Sequence, residues 1–148
     1  MQIHLPYKIL LTLTILSLII GYISSGYSLI RELLITIISV LIILIAVILG
    51  FWVKRTIQSH KTTLNPYGEP RVLIITGPFK LSRNPMYLSY VMIAIGVAIY
   101  SQSIFSFVGF GLFLLFLNYK IIPNEERKLY TIFPSQYKKY VENTRKWF

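Results

Sequence analysis

The stretch LLITIISVLIILIAVILGFWV, Leu33 to Val53, runs for 21 residues without a charge. At a helical rise of about 1.5 Å per residue it covers the roughly 30 Å hydrocarbon layer of a bilayer. It is apolar on every face, so the solvent it is built for is lipid. Working outward, a second uncharged run lies between Lys8 and Arg31, over 9–30, and its apolar part gives out at Ser24-Ser25-Gly26. A basic residue before an apolar run also resembles a signal peptide, but the A-x-A cleavage pattern is missing. The next uncharged stretch, Asn84 to Tyr119, would be roughly 54 Å long as one helix, too long for one crossing. Ser101-Gln102-Ser103 is its polar interruption, so a helical hairpin is expected over 86–100 and 104–121. The fold class is therefore an all-α integral membrane protein of about four transmembrane helices, one domain over 1–148. Its spans are 9–30, 33–53, 86–100 and 104–121, with a cytoplasmic loop 54–83 and a cytoplasmic tail 122–148 of amphipathic helices.

The charges orient these spans. Lys8, the segment 54–83 and the chain from Lys120 onward carry 14 basic residues, and the other side of the membrane carries Arg31 alone. The excess of Lys and Arg marks the cytoplasmic face, so both termini and the middle loop are expected there. The net charge of +10 is then explained by orientation and by anionic lipid head groups, and no nucleic-acid partner is expected. The chain has no Cys, no Asp and five Glu, which removes thiolate metal sites, disulfides and cysteine nucleophiles. No metal is expected, and His4 and His60 have no partners at ligand spacing. Apart from Lys120 at the cytoplasmic end of the last one, the spans hold no Lys, Arg, His or Glu, against the pattern of a proton-coupled transporter. Gly109-Phe110-Gly111 lacks the strand and the acidic residue of a dinucleotide motif, so close helix packing is its expected role.

Function is expected outside the apolar spans. The loop carries turn formers at Asn65-Pro66-Tyr67-Gly68 and Thr76-Gly77-Pro78, and an apolar run, Val72-Leu73-Ile74-Ile75, expected to lie on the membrane or pack on the tail. Asn84 is a good helix cap and Pro85 a good first helical residue. The third span then opens with amide groups facing the cytoplasm, an anion-attracting end, with Arg83 beside it and Tyr87 a turn inside. Just past the fourth span, Glu125 and Glu126 are either first-turn acids of a tail helix capped by Asn124, or ligands for a cationic group. In the tail, Tyr130, Phe133, Tyr137, Tyr140 and Trp147 recur at helical spacing, with Pro134 dividing two helices. These aromatics serve as interface anchors or line a cofactor.

On these motifs the chain resembles the isoprenylcysteine carboxyl methyltransferase and phospholipid N-methyltransferase family of membrane enzymes. That family carries a Gly-x-Tyr turn, R-[HN]-P-x-Y-x-G, a helical hairpin, an E-E pair and a tail F-G-x-x-Y-x-x-Y. Here they stand as Gly77-Pro78-Phe79, Arg83-Asn84-Pro85-Met86-Tyr87-Leu88-Ser89, Glu125-Glu126 and Phe133 to Tyr140. The likeness runs from about His60 to Arg145. It implies S-adenosylmethionine as cofactor, with Leu73, Ile74, Gly77, Pro78, Phe79, Arg83, Asn84, Pro85, Tyr87, Glu125 and Glu126 around it. It also implies catalytic roles for Arg83, Glu125 and Glu126, and methyl transfer to a lipophilic acceptor at the cytoplasmic membrane face. Carboxyl methylation of an isoprenylcysteine-like or other lipidic acid is the first expectation, with N-methylation of a phospholipid amine the alternative. A non-catalytic membrane assembly module is the reading from another class. The chain departs from the pattern at Phe79, in place of Tyr, at Ser89 and Pro134, in place of Gly, and at Asn84, in place of the commoner His. The arginine that prenylcysteine enzymes place before the Glu pair falls near Tyr119-Lys120.

Overall fold

The computed structural model of the chain describes residues 5–24, 29–60 and 72–148. His4, Ser25-Gly26, Lys61, the Asn65–Gly68 turn and Arg71 lie outside the described residues. What is described is all helical: α1 (Leu5–Ser24), α2 (Leu29–Ser59), a short 3₁₀ turn (Gly77–Lys80), α3 (Pro85–Ser101), α4 (Ile104–Phe116), α5 (Ile122–Ile132) and α6 (Pro134–Asn143). Two helical stretches, Glu32–Ser59 and Ile104–Ile132, are long and apolar enough to cross a membrane, and Pro85–Ser101 is a shorter apolar helix.

Several boundaries differ from expectation. The described part of the first helix is Leu5–Ser24, and Leu29 and Ile30, expected in the first span, belong to α2. At its other end α2 continues to Ser59, so Lys54 and Arg55 belong to the helix and not to a loop. No breaker stands before His60, and Lys, Arg and Gln are good helix formers. The helix is closed by its own side chains: Thr56 Oγ1 donates to Trp52 O at 2.9 Å and Ser59 Oγ to Thr56 O at 2.8 Å. His60 Nδ1 also lies 2.8 Å from Thr56 O.

The expected hairpin is present. Gln102 takes the left-handed conformation, φ 50°, that ends α3, and Ser101 Oγ donates to Ser106 Oγ across the turn at 2.6 Å. Below α4 the path does not stop. A π-helical turn, Leu117–Ile121, joins α4 to α5 with helical backbone throughout. Pro123 explains that turn: it has no N–H for the carbonyl four residues back, and its ring would strike that carbonyl, so the helix widens just before it. The continuous helix overturns Asn124 as a cap, and Glu125 and Glu126 as acids at a free helix end. Pro134 does divide the tail, with Phe133 at φ −128°, ψ 60° between α5 and α6.

Among the described residues, α2 and α3 make the broadest contact. It is built on small residues: Ser39, Ala46 and Gly50 on α2, Ser89 and Gly96 on α3, all buried or half-buried. A Cβ at Gly96 would sit 2.7 Å from Ile43 Cγ1 and 3.3 Å from Ser39 O, so only glycine permits this approach. The Gly109-Phe110-Gly111 pair does not serve that purpose. A Cβ at Gly109 would meet only Leu13 Cδ2, at 3.9 Å, and one at Gly111 would meet nothing within 4 Å among the described residues. α1 packs across both α3 and α4, and Leu10, Tyr87, Phe113, Leu117 and Ile122 form one buried cluster. A second cluster joins Val53 and Ile57 of α2 to Ile74. Of the apolar run 72–75, Ile74 therefore packs on α2, while Val72 and Ile75 are exposed.

Candidate functional site

The site begins at the start of α3. Gly77 has φ 59°, and a Cβ there would lie 3.2 Å from Thr56 Oγ1, so glycine is needed both for the backbone and for the close approach to α2. The 3₁₀ turn that follows buries Pro78 completely. It carries Phe79, Leu73 being half-buried nearby in sequence, and Ile74 and Phe79 both pack at the Val53–Ile57 cluster. Pro85 is the first residue of α3 and is buried.

Asn84 does not cap the helix with its side chain. Its Nδ2 instead donates to Lys146 O at 3.2 Å, beside Ser82 Oγ to the same carbonyl at 3.0 Å and Arg83 N to Arg145 O at 3.0 Å. The end of the tail is thus a strap across the start of α3, held by Ser82, Arg83 and Asn84. Trp147 continues the strap, its Nε1 donating to Asn118 Oδ1 in the π turn at 3.2 Å. Tyr140 holds α6 in place by donating to Phe79 O at 2.6 Å.

Two contacts then join α3 to α5. The Tyr87 hydroxyl donates a short hydrogen bond to Glu125 Oε1. Arg83 Nη2 pairs with Glu126 Oε1 at 3.2 Å, with the two side chains only 12% and 25% exposed. This second contact is a charge pair without an aligned hydrogen bond: Arg83 Nε and Glu126 Oε1 are buried atoms with no hydrogen-bond partner among the described residues. Since buried polar groups are nearly always paired, the cradle offers one donor and one acceptor to a ligand.

The electrostatics separate the two acids. Glu125 lies beyond the apolar part of its helix, and burial raises its carboxyl above the ordinary value, against the lowering effects of the Tyr87 hydrogen bond and of Lys128. The neighbour of Glu126 is Tyr137, a buried tyrosine pushed up to about 12 by desolvation and then by the charge of Glu126, with Arg83 opposing. Burial also raises Tyr140. Tyr137 packs edge-on against Tyr130 and Tyr140, with ring centres 6.2 and 6.1 Å apart. Tyr137 and Tyr140 are therefore interior residues and not interface anchors. Arg83, Tyr87, Glu125 and Glu126 come together as the sequence suggested, while Ile74 and Phe79 belong to the α2 side. Tyr137 as a partner of Glu126, and Ser82 and Trp147 as strap anchors, were not singled out from sequence.

A family model for phospholipid methyltransferases matches residues 34–136. The match covers both halves of this arrangement and the hairpin between them. The chain belongs to the phospholipid methyltransferase family. It is a membrane family whose enzymes methylate lipids with S-adenosylmethionine. Comparison with curated proteins and with solved structures found no match. The residues present suit that cofactor. Its methionyl end carries one carboxylate and one ammonium; Arg83 Nε, without a hydrogen-bond partner among the described residues, and Glu126 Oε1, in ion-pair contact with Arg83 Nη2 but without an aligned hydrogen bond, are a donor and an acceptor of matching charge.

Proposed function

We propose that this protein N-methylates the amine head group of a membrane phospholipid at its cytoplasmic face, in a four-span topology with both termini and the middle loop on that side. The topology is supported by the 14-to-1 division of basic residues and by the hairpin at Gln102. The stretch Ile104–Ile132 has 29 residues, about 43 Å of helix against a layer of about 30 Å. Its last third, with the Glu pair, then projects from the bilayer.

When bound, S-adenosylmethionine supplies an electrophilic methyl group on a sulfonium. The Arg83–Glu126 pair holds the methionyl end, with Ile74, Gly77 and Phe79 on the side toward α2, Leu73 and Pro78 beside them in sequence, and Asn84 and Pro85 at the start of α3. Orientation is most of what methyl transfer requires of a protein. An ammonium acceptor must also lose a proton before its nitrogen can attack. The carboxylate of Glu125 takes that proton, and Tyr87 holds it in position. The single observation that carries this reading is the half-buried Glu125, which accepts a hydrogen bond from the Tyr87 hydroxyl. A carboxyl whose proton affinity is raised by burial is a better base than a solvated one, and a carboxylate acceptor would need no base at all.

The test is to incubate the purified protein with methyl-labelled cofactor and a lipid extract, then treat the product with mild alkali. Label that stays on nitrogen, as a methylated amine of the head group, is expected. Release of the label as methanol would show carboxyl methylation of a lipidic acid instead, and absence of transfer would favour a non-catalytic module.

A further inference from the structure

The Arg83–Glu126 pair lies behind other parts of the chain. Its two side chains are mostly covered, and Arg83 Nε and Glu126 Oε1 are buried atoms. A carboxylate and an ammonium cannot reach those atoms unless a covering element moves. Glu126 lies on α5, whose backbone is helical back through the π turn into α4, and Arg83 stands just before α3. Neither helix can swing aside without breaking its own ladder. Among the described residues, the other polar partners of Arg83 lie on one arm, residues 134–148. Its Nη1 is 3.5 Å from Val141 O of α6, and its N–H donates to Arg145 O of the strap at 3.0 Å.

This arm has a hinge and a latch. The helix breaks at Phe133, φ −128°, ψ 60°, ahead of Pro134, and α6 meets the other helices chiefly through α5. Beyond α6 the strap is held by Ser82 Oγ and Asn84 Nδ2 on Lys146 O and by Trp147 Nε1 on Asn118 Oδ1. The Trp147 ring packs against the buried cluster that contains Tyr87 and Leu117. Neutral hydrogen bonds that water can replace are each worth little net, so a segment held by a few of them opens locally while the core stays folded.

We infer that the arm 134–148 is the gate of the cofactor site, with Phe133-Pro134 as its hinge and the Trp147–Asn118 bond as its latch. It lifts to admit S-adenosylmethionine and closes over the methionyl end. The inference rests on the placement of that end at Arg83 and Glu126 proposed above. The strap lies beyond the segment 34–136 that matches the family. Such a gate sets rates and not affinity. Cofactor enters and leaves only through the open form, so loosening a latch that is made with and without cofactor speeds both steps by the same factor.

The experiment uses the full chain in detergent micelles without acceptor lipid, with association and dissociation of labelled S-adenosylmethionine followed by rapid filtration. Trp147→Phe keeps an aromatic ring on the cluster and removes the N–H. Both rates should rise about two- to tenfold, the worth of one neutral hydrogen bond, with Kd nearly unchanged. Asn118→Ala should do the same, and the double variant should add nothing to either single one, because all three lack one and the same latch. Hydrogen exchange at the Arg83 amide, whose acceptor is the strap carbonyl, should quicken in these variants and slow when cofactor is bound. Should Trp147→Phe not fold, Asn118→Ala carries the test. Unchanged rates in the folded variants would overturn the gate, and so would faster dissociation with association unchanged or slower, the mark of a damaged site. Unchanged affinity in Arg83→Ala would defeat the placement of the cofactor. Affinity lost in Arg83→Ala with unchanged rates in the latch variants would defeat the gate alone, so the two fail separately.

Discussion

The Arg83–Glu126 pair makes a prediction whose size follows from its geometry. At 3.2 Å and an effective dielectric of about 20, the attraction is about 5 kcal/mol, from which the cost of drying two charges must be subtracted. With Arg83 12% and Glu126 25% exposed, that cost is substantial, so the net worth of the pair is small while the worth of each partner to the other is large. Arg83→Met leaves a buried carboxylate facing Tyr137 and should lose about 3 kcal/mol of stability; Glu126→Leu leaves an unpaired guanidinium and should lose a similar amount. The double variant removes both charges and should lose much less than the sum, a coupling of about 3 kcal/mol. Unfolding in mixed micelles, followed by helicity, measures all four corners of the cycle. The strap bond from Arg83 N to Arg145 O is made by backbone and survives every substitution, so it cancels. Additivity within about 0.5 kcal/mol would refute the pair as a buried, mutually dependent unit.

Three further outcomes follow. Gly96→Ala places a carbon 2.7 Å from Ile43 Cγ1 and should destabilise by about 1–3 kcal/mol through overpacking, with partial rescue by Ile43→Ala, as read by detergent unfolding. Glu125 has a raised carboxyl pKa from burial, so its contribution is complete below the ordinary carboxyl value and is lost as pH rises through the folded value. Glu125→Gln should therefore flatten that fall and leave the protein more stable at neutral pH, while abolishing transfer to an ammonium acceptor. Tyr137, normally near 10 and here pushed up to about 12, contributes stability that is present below pH 10 and lost between about 10 and 12. Tyr137→Phe should remove that alkaline step in a pH series of melting curves.

The fold was legible where the signal was local. An uncharged stretch too long for one crossing, interrupted by Ser101-Gln102-Ser103, had to turn, and Pro134 had to end a helix. Pro123 shows the limit, because proline at a helix start and proline in a bent helix have the same sequence signature. Only the π turn at Leu117–Ile121 distinguishes them, and with it the reading of Asn124 and the Glu pair changes. At the site, Arg83, Tyr87, Glu125 and Glu126 could be grouped because their residue types and motif order carry chemistry. The strap could not be foreseen. Its acceptors are the backbone carbonyls of Arg145 and Lys146, which every residue possesses.

The central claim is that the cofactor is held where Arg83 meets Glu126, and calorimetric titration of S-adenosylmethionine into the detergent-solubilised protein tests it most directly. Binding by the wild type should weaken by about 10- to 150-fold in both Arg83→Ala and Glu126→Gln, the loss of a charged hydrogen bond of roughly 1.5–3 kcal/mol, with helicity retained. Affinity unchanged in both folded variants would contradict the assignment of the site.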